Sequence, residues 1–179
     1  MKIVLHICCG VCAGGAASTL LAEGHEITGY FYNPNIQPVE EYNRRLDSAR
    51  LACANLGIEL TAGPYDTDAW TAATFQLKDE PEGGRRCVLC YRIRLRQTYL
   101  HTTKINADAF TTTLTISPHK SAQIINAVGR ETGGDLYLAR DFKKKEGFKQ
   151  AISLARSWGL YRQNYCGCLY SLSPNGRSP

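Results

Sequence analysis

Residues 2–15 read Lys2-Ile3-Val4-Leu5-His6-Ile7-Cys8-Cys9-Gly10-Val11-Cys12-Ala13-Gly14-Gly15. The stretch from Lys2 to Ile7 is almost wholly apolar with little alternation, the pattern of a strand buried on both faces. A small-residue helix follows over Gly14 to Leu21 and ends near Gly24, and Glu26 to Tyr32 reads as a second strand, stopped by Asn33-Pro34-Asn35. Pro38 suits the first turn of a helix, where its missing N–H costs nothing. That helix runs from Val39 to Leu56, with Leu46, Ala49, Leu51 and Cys53 as its inward candidates; Gly57 ends it, and Ile58 to Ala62 is a third strand. Beyond a helix over Asp66 to Gln76 and the loop 78–84, Cys87 to about Leu100 reads as a basic helix and Asp108 to Leu114 as a β-branched strand. Ser117-Pro118 has the form of a cap and first helical position. The helix it opens reaches about Val128 and stops at Gly129 or Gly133; Asp135 to Leu138 is a short strand and Phe148 to Trp158 a last helix. Alternating strands and helices specify an α/β fold in a single domain, a parallel sheet with helices on both faces in the Rossmann-like manner. Residues 1–170 form that domain, and 171–179, rich in Ser, Pro and Gly, a frayed tail.

In such sheets, sites gather beyond the carboxyl ends of the strands, and Cys8, Cys9 and Cys12 stand directly after the first one. Eight cysteines occur in 179 residues. Seven fall into three tight groups: Cys8/Cys9/Cys12, Cys87/Cys90 and Cys166/Cys168. The N-terminus is too short in its apolar run for a signal peptide, no segment approaches the roughly 20 apolar residues of a membrane span, and the expected location is cytoplasmic. In a reducing compartment, grouped thiols point to metal or redox chemistry rather than to a disulfide framework. Seven thiolates exceed the four ligands of a closed zinc site and suit one cluster plus a second metal, or a cluster plus redox-active thiols. Neighbouring strand residues point to opposite sides, so Cys8 and Cys9 are placed to serve two centres side by side, with Gly10, Gly14 and Gly15 permitting a tight turn. Cys53, alone on its helix, reads as core packing.

The formal net charge is +5, compatible with a polyanionic partner. Arg85, Arg86, Arg92, Arg94 and Arg96 crowd around the Cys87/Cys90 pair, and Arg162 precedes Cys166, which together read as an anion-binding rim. The run Lys143-Lys144-Lys145 alone reads as a solvated face. Tyr30, Tyr32, Tyr42, Tyr91, Tyr161 and Tyr165 are candidates for stacking on a base or for the core. His6 reads as a core histidine. His119, exposed in a first helical turn, is a candidate proton donor, and Asp141 is either an acid or metal ligand or the partner of a neighbouring lysine.

Several long motifs carry a resemblance. Leu5-His6-Ile7-Cys8-Cys9-Gly10-Val11-Cys12, then Phe31-Tyr32-Asn33-Pro34-Asn35-Ile36-Gln37-Pro38 with Glu41-Tyr42 and Arg45, and Arg86-Cys87-Val88-Leu89-Cys90-Tyr91 with Arg94-Leu95 resemble the QueH-type epoxyqueuosine reductases. So do Thr111-Thr112-Thr113-Leu114-Thr115-Ile116-Ser117-Pro118-His119-Lys120, Asp141-Phe142-Lys143-Lys144-Lys145 and Leu160-Tyr161-Arg162-Gln163-Asn164-Tyr165-Cys166-Gly167-Cys168. The resemblance implies a fold like that of the adenine nucleotide α-hydrolases. It also implies a cobalamin-independent oxidoreductase that converts epoxyqueuosine to queuosine at the tRNA wobble position. It implies a [4Fe–4S] cluster on Cys9, Cys87 and Cys90 and an adjacent mononuclear metal ion, iron, on Cys8, Cys12 and one of Cys166 and Cys168. Some relatives have Asp where Cys12 stands, and Ala-Pro is common where this chain has Gly10-Val11. The implied partners are the anticodon arm of tRNA and an external electron donor, with no membrane. Removing an epoxide oxygen takes two electrons, which no ordinary side chain supplies, so a metal cofactor must; His119, Lys120 and Asp141 are the proton-donor candidates.

Three rivals remain at the level of sequence. A tRNA-thiolating enzyme of the ATP-pyrophosphatase type needs a Ser-Gly-Gly-x-Asp-Ser-like phosphate loop where Cys8–Cys12 stand. A zinc-stabilised RNA-binding module would lack catalysis, and a thiol–disulfide oxidoreductase would depend on Cys87 without metal.

Overall fold

The structure, a computed structural model, describes residues 1–172. Four strands, β1 (Lys2–His6), β2 (Glu26–Phe31), β3 (Glu59–Ala62) and β4 (Ala109–Thr112), form one parallel sheet in the order β3-β2-β1-β4. In register, Ile3 lies opposite Ile27 on one side and Ala109 on the other, so β1 is central. That is why its side chains are apolar on both faces. Ile3, Leu5 and Ile7 join the core built with α1 (Gly10–Ala22), α2 (Val39–Asn55) and α6 (Gly147–Ser157). Val4 joins the opposite core, with α4 (Arg85–Lys104) and α5 (Ala122–Gly133). The short α3 (Thr67–Thr74), capped by the Asp66 carboxylate, leans on α4.

The expected α/β architecture is present, with local differences that have physical causes. Helix α1 starts at Gly10 instead of Gly14, because the Cys9 side chain caps it, accepting from the Cys12 amide. Its glycines serve close packing instead of a turn. A Cβ on Gly10 would fall 2.3 Å from Ser48 Oγ, and one on Gly15 would fall 2.7 Å from the Ala151 Cβ. Leu51, expected inward, is exposed, while Leu46, Ala49 and Cys53 are buried. Ser117-Pro118 does not open a helix; Ser121 is the cap, accepting from Ile124 N, and α5 begins at Ala122. The preceding residues 117–120 form a turn at the sheet's carboxyl edge, which leaves His119 outside any helix. The strand expected over Asp135 to Leu138 shrinks to a single parallel bridge between Phe110 and Tyr137 after a 3₁₀ turn.

Of the tail expected over 171–179, the structure describes the first two residues: Leu169–Ser171 forms a 3₁₀ turn with Ser171 buried. The rest of that expectation, residues 173–179, lies outside the described residues. Among the described residues no helix is long and apolar enough to cross a membrane.

Candidate metal and substrate site

The first strand delivers its cysteines to the carboxyl edge of the sheet. Cys8 lies in a bend beyond β1, and its amide donates to Thr113 Oγ1 at 3.1 Å. That hydroxyl in turn lies 3.3 Å from Cys8 Sγ, so the loop after β4 holds the cysteine. The sulfurs of Cys8, Cys9 and Cys12 all lie within 4.8 Å of one another, with Cys8 Sγ and Cys9 Sγ 3.8 Å apart. Thiolates at about 2.3 Å from a tetrahedral ion stand about 3.8 Å apart. The group sits at the N-terminus of α1, where the helix dipole favours negative charge.

The three thiols form one protonic unit. Hydrogen bonds from Cys12 and Cys9 hold the Cys8 thiol well below its ordinary value against the cost of burial. The Cys9 thiol, pulled down by Cys12, is raised more by Cys8 and by burial, to about 12. Cys12 is pushed well above its ordinary value by Cys8, by Cys9 and by burial. A metal ion binding here must displace the protons held on Cys9 and Cys12.

The second pair comes from α4, where Cys87, Cys90 and Arg94 fall on one face at helical spacing. Burial pushes the Cys90 thiol up to about 11, against the pull of Arg94 and of the Trp70 indole. Burial also raises Cys87, whose sulfur accepts from Gly83 N at 3.2 Å. The third pair stands on a loop whose backbone is clamped. The buried Arg45 pairs with Glu41 at 2.6 Å and donates to the carbonyls of Cys166 and Tyr165, both at 3.0 Å. Gln37 N donates to Gly167 O at 2.9 Å. Gly167 takes φ 118°, a left-handed backbone that favours glycine, and this turn aims the flanking sulfurs.

Three distant stretches thereby converge. A cavity of about 540 Å³ is lined by Cys8, Cys12 and Cys166, together with Arg94, Lys120 and Gln163. Adjoining it, a void of about 10 Å³ is lined by Cys87, Cys90, Cys166 and Cys168, among others. Cys166 and Arg94 border both spaces. Cys9 is 1% exposed, does not line the cavity, and accepts from Gln163 Nε2 at 3.1 Å. All eight cysteines are free thiols; Cys53 stands apart in the core, its thiol raised by burial to about 11.

The basic residues divide differently from the expected rim. Arg86 is 1% exposed and donates through Nη1 to the carbonyls of Leu77, Lys78 and Glu80. Arg94 donates to Asn33 Oδ1 at 2.6 Å, and Asn33 Nδ2 is tied to Ile7 O at 2.9 Å. These two cations are internal, held by backbone carbonyls and by Asn33, whereas Arg85 and Arg92 spend their charge on Glu80 and Glu131. Arg96 is exposed on α4, and Arg162 is exposed at the cavity.

Among the tyrosines, Tyr30, Tyr32, Tyr42 and Tyr91 are core. Tyr165 lines the cavity, while Tyr161 donates to Glu41 Oε2 at 2.7 Å. His6 is fully buried between Thr112 Oγ1 and Tyr32 O, and burial lowers it to about 3.

His119 and Lys120 both line the cavity. Burial works to lower the Lys120 amine, but Cys166, Tyr91, Cys8 and Glu82 around it outweigh that and hold it above its ordinary value. Asp141 does not line the cavity; it pairs with Lys143 at 3.6 Å. Lys143 is not a solvated charge either, since its Nζ grips Thr115 O at 3.1 Å and Lys120 O at 3.0 Å. Sequence reasoning missed Trp70, Asn35, Thr113 and Gln163 as site residues. Asn35 was read as a strand stop, and nothing local marks Trp70.

The chain is similar to known proteins along nearly its whole length. A family profile described as "Epoxyqueuosine reductase QueH" matches residues 3–174. Proteins of that name are similar over nearly all of this chain. That from Streptococcus pyogenes is 33% identical, over 98% of this chain and 72% of its own. That from Haemophilus influenzae is 33% identical, over 98% and 74%, and that from Thermotoga maritima 31%, over 95% and 90%. A crystal structure of a predicted tRNA methyltransferase subunit from Methanocaldococcus jannaschii shares the fold, with a TM-score of 0.50 and 12% identity over 86% of this chain and 74% of that one. The convergence of cysteines at the carboxyl edge of β1 is thus set in a chain that belongs to the epoxyqueuosine reductase QueH family.

Proposed function

We propose that this chain reduces epoxyqueuosine to queuosine in tRNA, taking two electrons and two protons and releasing water, without cobalamin. One observation carries the reading: three thiols, Cys8, Cys12 and Cys166, line an open cavity of about 540 Å³ while Cys87, Cys90 and Cys168 line a small void that adjoins it. The volume is in the range of small-molecule sites. The donor set fits iron, because soft thiolates select iron–sulfur and related centres.

In this reading Cys9, Cys87 and Cys90 hold a [4Fe–4S] cluster, and Cys8, Cys12 and Cys166 hold a mononuclear iron on the cavity side. Cys166 is preferred to Cys168 because it borders the cavity, while Cys168 borders only the small void. When bound, these groups supply the electrons and a Lewis acid.

The chain's own residues supply the rest. Lys120 keeps a proton and a positive charge at Nζ on the cavity wall, next to Cys8 and Cys166. An alkoxide is a stronger base than an amine, so Lys120 can both stabilise the developing oxygen charge and give its proton. Lys143 fixes the turn that carries His119 and Lys120 through two carbonyls, and Asp141 orients Lys143. Asp141 is therefore a positioning residue. His119, exposed at the cavity mouth, relays protons from solvent. Tyr165 offers a ring to the modified base. Arg162, Lys144 and Lys145, all exposed, meet the phosphates of the anticodon arm, so binding weakens as salt rises.

The test is anaerobic reconstitution with iron and sulfide, incubation with epoxyqueuosine-bearing tRNA and a low-potential reductant, and nucleoside analysis. Queuosine should appear. A filled cluster with untouched epoxide would refute the assignment, and bound zinc without iron would favour the RNA-binding module instead.

A further inference from the structure

Buried N–H groups without an acceptor are rare, and each one calls for a missing partner. Among the described residues, four such donors belong to side chains around one small space. Asn35 Nδ2, Trp70 Nε1, Arg86 Nε and Arg94 Nε are buried without a well-formed hydrogen bond. All four residues are at most 2% exposed. All four line the void of about 10 Å³ whose other walls are Tyr91, Cys87, Cys90, Cys166 and Cys168. Asn35 Oδ1 in the same wall is itself unpaired.

Leaving one such group unmet costs more than a hydrogen bond returns. Four in one place therefore indicate a ligand rich in acceptors. Sulfur is the acceptor at hand. The Trp70 indole packs with Cys90 and Cys168 in a cluster of their own, and it already acts on Cys90 as a donor. Two of the four residues also carry full positive charge, which favours an anionic occupant.

We propose that Asn35, Trp70, Arg86 and Arg94 form a donor cage around an anionic iron–sulfur centre bound by the adjoining cysteines. Their N–H groups point to its sulfurs and set its reduction potential. This inference rests on the iron–sulfur reading given above. An added electron raises the negative charge on the sulfurs, so donors directed at them stabilise the reduced form and raise the potential. The cage residues act on the centre's sulfurs; Asn35, Trp70 and Arg86 do not line the larger cavity, whereas Arg94 borders both spaces.

Trp70→Phe keeps a ring and removes the N–H; Asn35→Leu keeps the volume and removes both polar atoms. Wild type and both variants are loaded anaerobically with iron and sulfide. Bound iron and sulfide are measured, and midpoint potentials follow from EPR-monitored titration. Each variant should load as the wild type does and show a potential shifted to a more negative value. Wild type grown with indole-¹⁵N tryptophan gives an independent readout by pulsed EPR of the reduced protein. The chain has two tryptophans, and Trp158 does not line the void. A ¹⁵N coupling present in wild type and absent in Trp70→Phe supports the cage. Unchanged potentials in loaded variants, or no ¹⁵N coupling in reduced wild type, overturn it. The labelled wild type decides the matter if a variant fails to load. A wild type that takes up no iron and sulfide would overturn the iron–sulfur reading instead.

Discussion

Lys120 shows how a single side chain acquires its chemistry from what surrounds it. An isolated lysine beside a cavity loses its charge as it is buried. Here Cys166, Tyr91, Cys8 and Glu82 reverse that, and the amine remains protonated throughout the physiological range. Lys120→Met should lower turnover by about 10²–10⁴-fold, the usual span for a positioned acid. Iron content and tRNA affinity should stay near wild type. Turnover within threefold of wild type would remove Lys120 from the chemistry. His6 marks the other outcome of burial. It lies two residues before Cys8, but both ring nitrogens are engaged and burial lowers it to about 3, so it serves the core as a neutral ring.

At the scale of elements, the site depends on how closely α1 approaches α2. Gly10, the first residue of α1, has Ser48 of α2 against it, with the Ser48 carbonyl oxygen 2.4 Å from where a Cβ would stand. That carbonyl belongs to helix backbone and cannot swing aside. Gly10→Ala should therefore destabilise the protein by about 1–3 kcal/mol, as overpacking does, and should displace Cys9 and Cys12 relative to α4. Denaturant unfolding and iron content after reconstitution check both effects. Wild-type stability would mean that α1 shifts freely. On the other side of the site, the Arg45–Glu41 pair of α2 holds the Cys166–Cys168 loop by its carbonyls. A helix of the first half of the chain thereby places sulfurs contributed by the last residues of the domain.

Across the whole molecule, three chain segments meet only in the folded state, so metal binding is coupled to folding. Free metal at 100-fold over its Kd should add about 2.7 kcal/mol, or roughly 5–10 °C in Tm for a chain of this size. The sign of the pH effect follows from the thiols. Cys9 is raised to about 12 and Cys12 well above its ordinary value; both lie above working pH and must release protons on binding. Raising the pH therefore favours the bound form, and the Tm gain should grow from pH 6 to pH 8. Calorimetric titration in buffers of different ionisation enthalpy reads the proton release directly. A pH-independent gain would place the metal on groups already deprotonated.

The alternation of apolar runs and turn residues along the chain determined the parallel α/β architecture, because the central strand β1 must be apolar on both faces. It also placed the first cysteines at the sheet's carboxyl edge, and the cysteine spacing alone marked the thiol groups. Local spacing could not show that the arginines near Cys87 and Cys90 divide between internal counter-charges and surface ion pairs, since burial is a property of distant packing. Nor could it distinguish Ser121 from Ser117 as a helix cap, because both are polar residues at a turn. The adjacency of Cys166 to Cys8 and the void walled by Asn35 and Trp70 belong to the tertiary structure alone. Residues 35, 70, 90 and 166 become neighbours only when helices pack across the edge of the sheet, and no periodicity in sequence records that meeting.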